Sequence, residues 1–542
     1  MSLNSPRTRS LVADAAADLA HENPMGGTSY AVTNPLSRLQ MAAASCFFGE
    51  PQYYAEPSAE ARPKRKHHDE DEVPGYYVSQ LAGTLGQALP GAWFNMTPAD
   101  MLVKAIDEAL DFDAEGTLKL AVDLRQNQHL RATPQVIMVR AANHASVRGS
   151  ALIRTYAPEI IRRIDEVASQ LAYQLAAYGK PIPNALKKAW KAALEGTAEY
   201  QLAKYRMDGR QVKLVDVVNT VHAKSPAIDK LMRGELSLTD RTWEAIVSAG
   251  KGSKEAWQLA LPLLVNPKGH MALLRNLRNL QSHGLLSREV AAALEAGAVE
   301  GKQLPFRYYS AYQAMKEVGA PGYVLDAIES ALMASLQNLP RFTGRVASLC
   351  DNSGSAQGAT TSSLGKVKVS TIANLTGVLT GMVADEGHIG VFGDRLAMSP
   401  VRAKASVFDQ LELLENKARS IGQNTENGIW LFFDQALRKK EHWDHIFVYS
   451  DMQAGHGGLY GTTPREYSAY QWGDGRHIDV AALVAAYRKQ VNPNVMVYLV
   501  QVAGYQDTLV PEFYDRTFIL GGWSDAVLRF AHAMTTVASA KP

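Results

Sequence analysis

The sequence predicts two architectures in one chain: short α-helices in series up to about Leu339-Pro340, then an open, doubly wound parallel β-sheet with helices on both faces. Three observations carry this. Before Pro340, apolar residues recur at three- and four-residue spacing in short segments broken by Gly, Pro, Asn and Ser. After it, strand-like and helical runs alternate. Two apolar runs, Val346–Cys350 and His445–Ser450, each stop on an aspartate, as strands do at the carboxyl edge of such a sheet. At 542 residues the chain exceeds the usual size of one core, and an apolar share of 46% suffices for two. The expected division is 1–340 and 341–542.

In the first part the helical segments are Thr97–Ala109, Gly116–Asn127, Pro134–His144, Asp240–Ala249, Lys254–Leu264 and Ser287–Ala298. Short helices in series point to an α-solenoid. No repeat consensus stands out, so a helical bundle is the alternative. The stretch Glu56–Pro74, with Pro63-Lys64-Arg65-Lys66-His67-His68-Asp69-Glu70-Asp71-Glu72, reads as an exposed loop of mixed charge. In the second part the order is Arg345–Cys350, Ser370–Asp385, His388–Gly393, helices around Val407–Ser420 and Gly428–Lys440, then His445–Ser450. A helix near Asp479–Gln490, Val495–Val502, Arg516–Gly521 and a last helix from Ser524 to about Thr535 follow. Right-handed crossovers put Asp351 and Asp451 at one sheet edge.

The run Asp351-Asn352-Ser353-Gly354-Ser355 places a carboxylate at a strand end and two hydroxyls at alternate positions in the next turn. Hard oxygen donors of this kind suit Mg²⁺, or Mn²⁺ in its place. Thr425, in the turn-rich Gly422-Gln423-Asn424-Thr425, and Asp451 supply further oxygens from later loops at the same edge. Taken alone, an Asp-x-Ser-x-Ser run serves as often to cap a helix or hold a turn. With Thr425 and Asp451 it resembles the metal-ion-dependent adhesion site of von Willebrand factor A domains. A catalytic role for Ser353 is disfavoured, because no Gly-x-Ser-x-Gly elbow surrounds it.

Composition narrows the class further. Cys46 and Cys350 are the two cysteines, far apart in sequence and in different expected domains, which argues against a disulfide scaffold and a thiolate cluster. The formal net charge of +2 announces no nucleic-acid partner by itself, so any such site is local. Met1–Pro24 has arginines and alanines but no continuous apolar stretch, and no later segment is apolar enough to span a bilayer. A cytoplasmic protein without a membrane partner is expected.

One local bias is present. Lys180, Lys187, Lys188, Lys191, Lys204, Arg206, Arg210 and Lys213 stand against Glu195, Glu199 and Asp208. In Pro183–Leu194 the residues Leu186, Ala189, Trp190, Ala193 and Leu194 form an apolar stripe, which puts Lys187, Lys188 and Lys191 on the exposed side. Such a face binds phosphates; on charge alone, a solvated surface is the more ordinary outcome. Arg275 and Arg278, at i and i+3, could meet phosphates or pair with acids of a neighbouring helix.

The combination of Leu186-Lys187-Lys188-Ala189, Leu202-Ala203-Lys204-Tyr205-Arg206, Val221-His222 and Met271-Ala272-Leu273-Leu274-Arg275-Asn276-Leu277, followed by the Asp-x-Ser-x-Ser domain, resembles the Ro ribonucleoprotein family, whose helical part is the TROVE module. The resemblance runs from about Pro35-Leu36-Ser37-Arg38-Leu39 to the end, and points to a bacterial Ro homologue. It implies an α-helical repeat (HEAT-like) ring plus an α/β doubly wound von Willebrand factor A domain. It further implies small noncoding Y RNAs on the outer surface, and single-stranded ends of misfolded or precursor RNA in a central hole. Lys204 and His222 inherit the family's outer-surface contacts, and Arg210 stands in by proximity for a further basic residue. The implied role is non-catalytic: RNA quality control, decay or ribosomal RNA maturation by a monomer, with an exoribonuclease such as polynucleotide phosphorylase as a possible tethered partner. The competing class is a metal-dependent protein-adhesion scaffold using the Asp351 site. A hydrolase is weaker still, since no general base or phosphate-cradling glycine loop accompanies the metal donors.

Overall fold

The computed structural model describes residues 20–22, 28–30, 34–45, 98–128, 130–207, 211–236, 242–303, 305–358, 367–423, 428–450, 471–472, 477–478, 480–502, 513–514, 516–521 and 525–539. The chain separates into two compact units, Ala109–Leu339 and Met1–Glu108 with Pro340–Pro542.

The first of these is built from short helices. Their starts follow from local chemistry: Asp113, Ser225, Thr242, Ser253 and Ser287 each accept a backbone N–H of the first turn, which satisfies a donor the helix leaves open. Packing runs from one helix to the next and to the next but one. Ala114–Gln126 meets both Ala132–Asn143 and Leu152–Ile160, Ala132–Asn143 meets Asp165–Ala177, and Leu152–Ile160 meets Asn184–Glu195. The same pattern returns when Arg288–Gly301 and Pro305–Glu317 both meet Gly322–Ser335. This is the stacking of a helical repeat, and it decides between solenoid and bundle.

The helix Asn184–Glu195 buries Leu186, Trp190 and Leu194, each worth about 1.5–3 kcal/mol of transfer free energy. Trp190 Nε1 donates to Gln170 Oε1 at 2.6 Å, Gln170 Nε2 donates to Gln135 Oε1 at 2.5 Å, and Gln135 Nε2 donates to the Ile160 carbonyl at 3.1 Å. A buried chain of amides thus ties the lysine-bearing helix to its neighbours and leaves these groups satisfied. Nearby, Glu166 is 2% exposed and accepts Arg125 at 2.8 Å together with the backbone N–H groups of Arg162 and Arg163.

The other unit is a nine-stranded sheet in the order β1-β2-β10-β11-β9-β6-β3-β4-β5. Here β1 is Ala20–Glu22, β2 Thr28–Tyr30, β3 Phe342–Asp351, β4 Ala384–Phe392, β5 Leu396–Pro400, β6 His445–Ser450, β9 Met496–Gln501, β10 Phe513–Tyr514 and β11 Thr517–Gly521. The short strands β7, Gln471–Trp472, and β8, His477–Ile478, pair separately. The centre, β11-β9-β6-β3-β4, is parallel, while β5, β10, β2 and β1 join antiparallel at the edges. A central parallel strand is covered on both faces, and β6 is buried at every residue.

Alternation along the strands sorts the two faces. Ala347 and Leu349 of β3 and Ile446 and Val448 of β6 pack with Trp430, Phe433 and Tyr487 from the helices Gly428–Lys439 and Val480–Gln490. On the other face Cys350 Sγ meets the Ala373 carbonyl at 3.1 Å, and Tyr449 Oη and Thr380 Oγ1 lie 2.6 Å apart. Both contacts belong to the helix Val369–Met382. Cys350 is buried and burial pushes its thiol well up, so it is an inert core residue; Cys46 lies outside the described residues.

Candidate functional site

Strand β3 ends on Asp351, which is 0% exposed. Its Oδ1 accepts the Ser353 N–H at 2.9 Å and its Oδ2 accepts the Ser450 hydroxyl at 2.7 Å. Ser450 ends β6, the neighbour of β3, so the sheet order itself brings the carboxyl ends of both strands together. Ser353 is 2% exposed and starts the turn into the short helix Gly354–Gly358. The Gly354 N–H donates to the Gln423 carbonyl at 2.8 Å, which draws the 420–423 segment to the same edge. A Cβ on Gly354 would stand 2.9 Å from that oxygen, so only glycine fits without a shift.

The described donors are a buried carboxylate and a buried serine, with a second serine bonded to the carboxylate. That oxygen chemistry fits a hard divalent cation. Ser355 lies within Gly354–Gly358, but its side chain, together with Thr425 and Asp451, falls outside the described residues. Among the described residues no three His, Cys, Asp or Glu side chains gather into a metal-binding group.

On the helical unit, Lys188 is exposed and Lys187 half-buried on Asn184–Glu195, and neither pairs with a carboxylate among the described residues. Lys191 stands 3.8 Å from Glu195. Glu195 Oε1 also accepts the Lys224 N–H at 2.9 Å, which brings the segment just after His222 against the end of this helix. His222 is exposed and closes the helix Leu214–Val221 in the left-handed region, with φ 52°.

Lys204 is anchored elsewhere. Its Nζ lies 3.2 Å from both Tyr200 Oη and Glu244 Oε1, and 5.5 Å from the Tyr200 ring centroid. Partial burial works to lower its pKa, but the bonds to Tyr200 and Glu244 outweigh it and the net shift is upward. Arg206 Nη1 donates to the Leu236 carbonyl at 3.1 Å, so this guanidinium ties the segment after Glu199–Lys204 to the one after Pro226–Arg233. Arg210 lies outside the described residues.

Sequence reasoning left Arg275 and Arg278 aside because neighbouring acids could neutralise them. Both are exposed on His270–Ser282, and neither forms an ion pair among the described residues. It also missed the ring series Trp243, Trp257 and His283, with centroid spacings of 6.3 and 6.5 Å. No periodic signal joins residues so far apart, so only coordinates reveal it. At the other edge of the sheet lies a hollow lined by Gly344, Arg345, Asp385, Glu386, His442 and Asp444. Arg345 pairs with Glu386 at 2.8 Å, and Asp444 Oδ2 accepts the Arg345 N–H at 2.7 Å.

Repeat helices and an Asp351-ended central strand in one chain invite comparison with solved structures. The fold is similar to that of the crystal structure of the Deinococcus radiodurans Ro (RSR) protein, with a TM-score of 0.57 and 16% sequence identity over 79% of this chain and 93% of that one. The chain has the fold of a bacterial Ro protein. At this identity the likeness is one of fold. No family profile matches the sequence, and no curated protein matches it. Among the described residues no helix is long and apolar enough to cross a membrane.

Proposed function

We propose that this chain is a non-catalytic, Ro-type RNA-binding protein. It holds small structured noncoding RNA of the Y RNA type on the basic face of its helical unit and admits single-stranded ends of misfolded or precursor RNA through a ring opening. The fold likeness spanning 93% of the Ro (RSR) chain carries this reading. Lys187 and Lys188, which have no carboxylate partner among the described residues, and the exposed His222 support it. Cations without carboxylate partners are the ones that exchange counterions for phosphates, and a structured RNA is then recognised by shape and backbone. A passage wide enough for one strand selects RNAs with free ends. The protein acts by binding and presentation in RNA quality control, decay or ribosomal RNA maturation, as a cytoplasmic monomer whose bound Y RNA tethers an exoribonuclease such as polynucleotide phosphorylase.

At the sheet edge, Asp351, Ser353 and Ser355 with Thr425 and Asp451 would hold Mg²⁺ or Mn²⁺. When bound, the ion offers an open coordination position to an oxygen ligand. The buried Asp351 carboxylate, already oriented by Ser353 and Ser450, supports that reading. A gel-shift titration with structured small RNA, with and without single-stranded tails, tests the main proposal. Binding strengthened by a tail is expected, and replacing Lys187, Lys188 and His222 together should weaken binding of the structured RNA and flatten its salt dependence. Equal affinity of wild type and variant across the salt series would count against the assignment.

A further inference from the structure

We propose that Asn374, on the helix Val369–Met382, is a positioning residue for the cation loop, acting through Asn352. This rests on the reading of Asp351 and Ser353 as cation donors. Strand alternation sends Asp351 to the face of Gly428–Lys439 and turns the next side chain, Asn352, to the face of Val369–Met382. Asn352 therefore sits between two donors with its own amide pointing away from them.

That amide is fully engaged. Its Nδ2 donates to the Cys350 carbonyl at 3.0 Å and to Asn374 Oδ1 at 2.9 Å. Its Oδ1 accepts Asn374 Nδ2 at 3.0 Å and Gln357 Nε2 at 3.2 Å. An asparagine has two N–H donors and two lone pairs, and here all four directions are used. The Asn352 backbone N–H also donates to the Phe392 carbonyl of β4 at 2.8 Å. Asn352 and Asn374 are 0% and 1% exposed, so losing either amide strands polar groups away from water.

The partner helix is itself fixed. Cys350 Sγ bonds the Ala373 carbonyl, Gly377 packs so closely on Cys350 Sγ that a Cβ there would collide, and Thr380 meets Tyr449 of β6. The reciprocal pair hangs the loop on a helix held to two strands. A pair of apolar side chains could fill the same space, but only the paired amides set the rotation of residue 352 and hence the direction of the donors on either side. Magnesium tolerates little deviation from octahedral geometry, so donor direction matters.

The test titrates the full chain with Mn²⁺ by calorimetry and follows thermal unfolding in EDTA. The proteins are the wild type, Asp351→Ala, Asn374→Ala, and Asn352→Val with Asn374→Leu. The wild type should bind one Mn²⁺, Asp351→Ala should lose it, and Asn374→Ala should bind about 10-fold more weakly or worse. The double variant removes both amides, so it should regain stability in EDTA while its Mn²⁺ affinity stays low. It also decides the matter should Asn374→Ala fail to fold. Unchanged affinity in Asn374→Ala, or a double variant that regains affinity along with stability, overturns the positioning role alone. Absence of Mn²⁺ binding in the wild type overturns the cation reading, and this inference with it.

Discussion

The loop that ends β3 and the lysine face of Asn184–Glu195 are both polar, yet they obey opposite physics. Asp351, Asn352, Ser353, Asn374 and Ser450 are buried and held by short fixed bonds, so the geometry is set before any ligand arrives. Lys188 is exposed and Lys187 half-buried, neither with a carboxylate partner among the described residues, and the order in that region lies beneath them, in Trp190, Gln170 and Gln135. The lesson is that stability and ligand contact are carried by the same residues in the first region and by different ones in the second. Single changes should therefore couple the two properties at the β3 loop and separate them on the helix.

The largest expected effect separates them from below. Trp190→Ala removes a fully buried ring and strands Gln170, and should lower stability by about 3–5 kcal/mol in urea unfolding. A loss below about 1 kcal/mol would mean that the lysine face has no such foundation. Next comes pH. Burial pushes His445 down to about 4, with Asp444 opposing and His532 assisting; the ring packs against Phe342 and Tyr498. Because the unfolded imidazole titrates near 6.5, the unfolded state binds more protons in between. Stability is then full above about pH 6.5 and is lost as pH falls toward 4, by on the order of 3 kcal/mol. His270 and His388 are lowered too, burial being the main cause, and act with the same sign. Denaturant unfolding at pH 7.5 and 5 checks this, and a His445→Gln variant that keeps the full slope would contradict it.

Smaller still, Gly354→Ala crowds the Gln423 carbonyl and should cost about 1–3 kcal/mol, with a matching loss of divalent-cation affinity. Stability lost without any change in cation binding would break the coupling claimed for this loop. Smallest of all, Lys187→Ala with Lys188→Ala should leave stability within about 0.5 kcal/mol of wild type, as surface lysines with no ion-pair partner among the described residues do.

Much of this contrast was legible in the sequence where local rules dominate. The strand-ending aspartate, the helix from Lys254 to Leu264 and the stripe Leu186, Trp190, Leu194 all follow from period and turn chemistry, because burial there is decided within one element. Strands β1 and β2 were not legible: each is three residues long, and their place beside β10 is set by a partner nearly 500 residues away. The β4–β5 hairpin was likewise missed, since it breaks the strand-helix alternation. At the candidate sites the motif marked Asp351 and Ser353, but not Asn374, whose role arises from a helix face and no spacing. Lysines were visible as charge, whereas Lys204 pairing with Glu244 and Arg206 bonding Leu236 depend on tertiary neighbours.

The central claim is that Lys187 and Lys188, which lack carboxylate partners among the described residues, grip RNA while the sheet edge serves a separate ligand. The most direct measurement is the salt dependence of structured-RNA affinity for wild type, Lys187→Ala with Lys188→Ala, and Asp351→Ala. The double lysine variant should bind more weakly, with a log–log slope reduced by about 0.7–0.9 for each phosphate contact removed, and Asp351→Ala should match wild type. A lysine variant with the wild-type slope, or RNA binding lost in Asp351→Ala, would contradict the account.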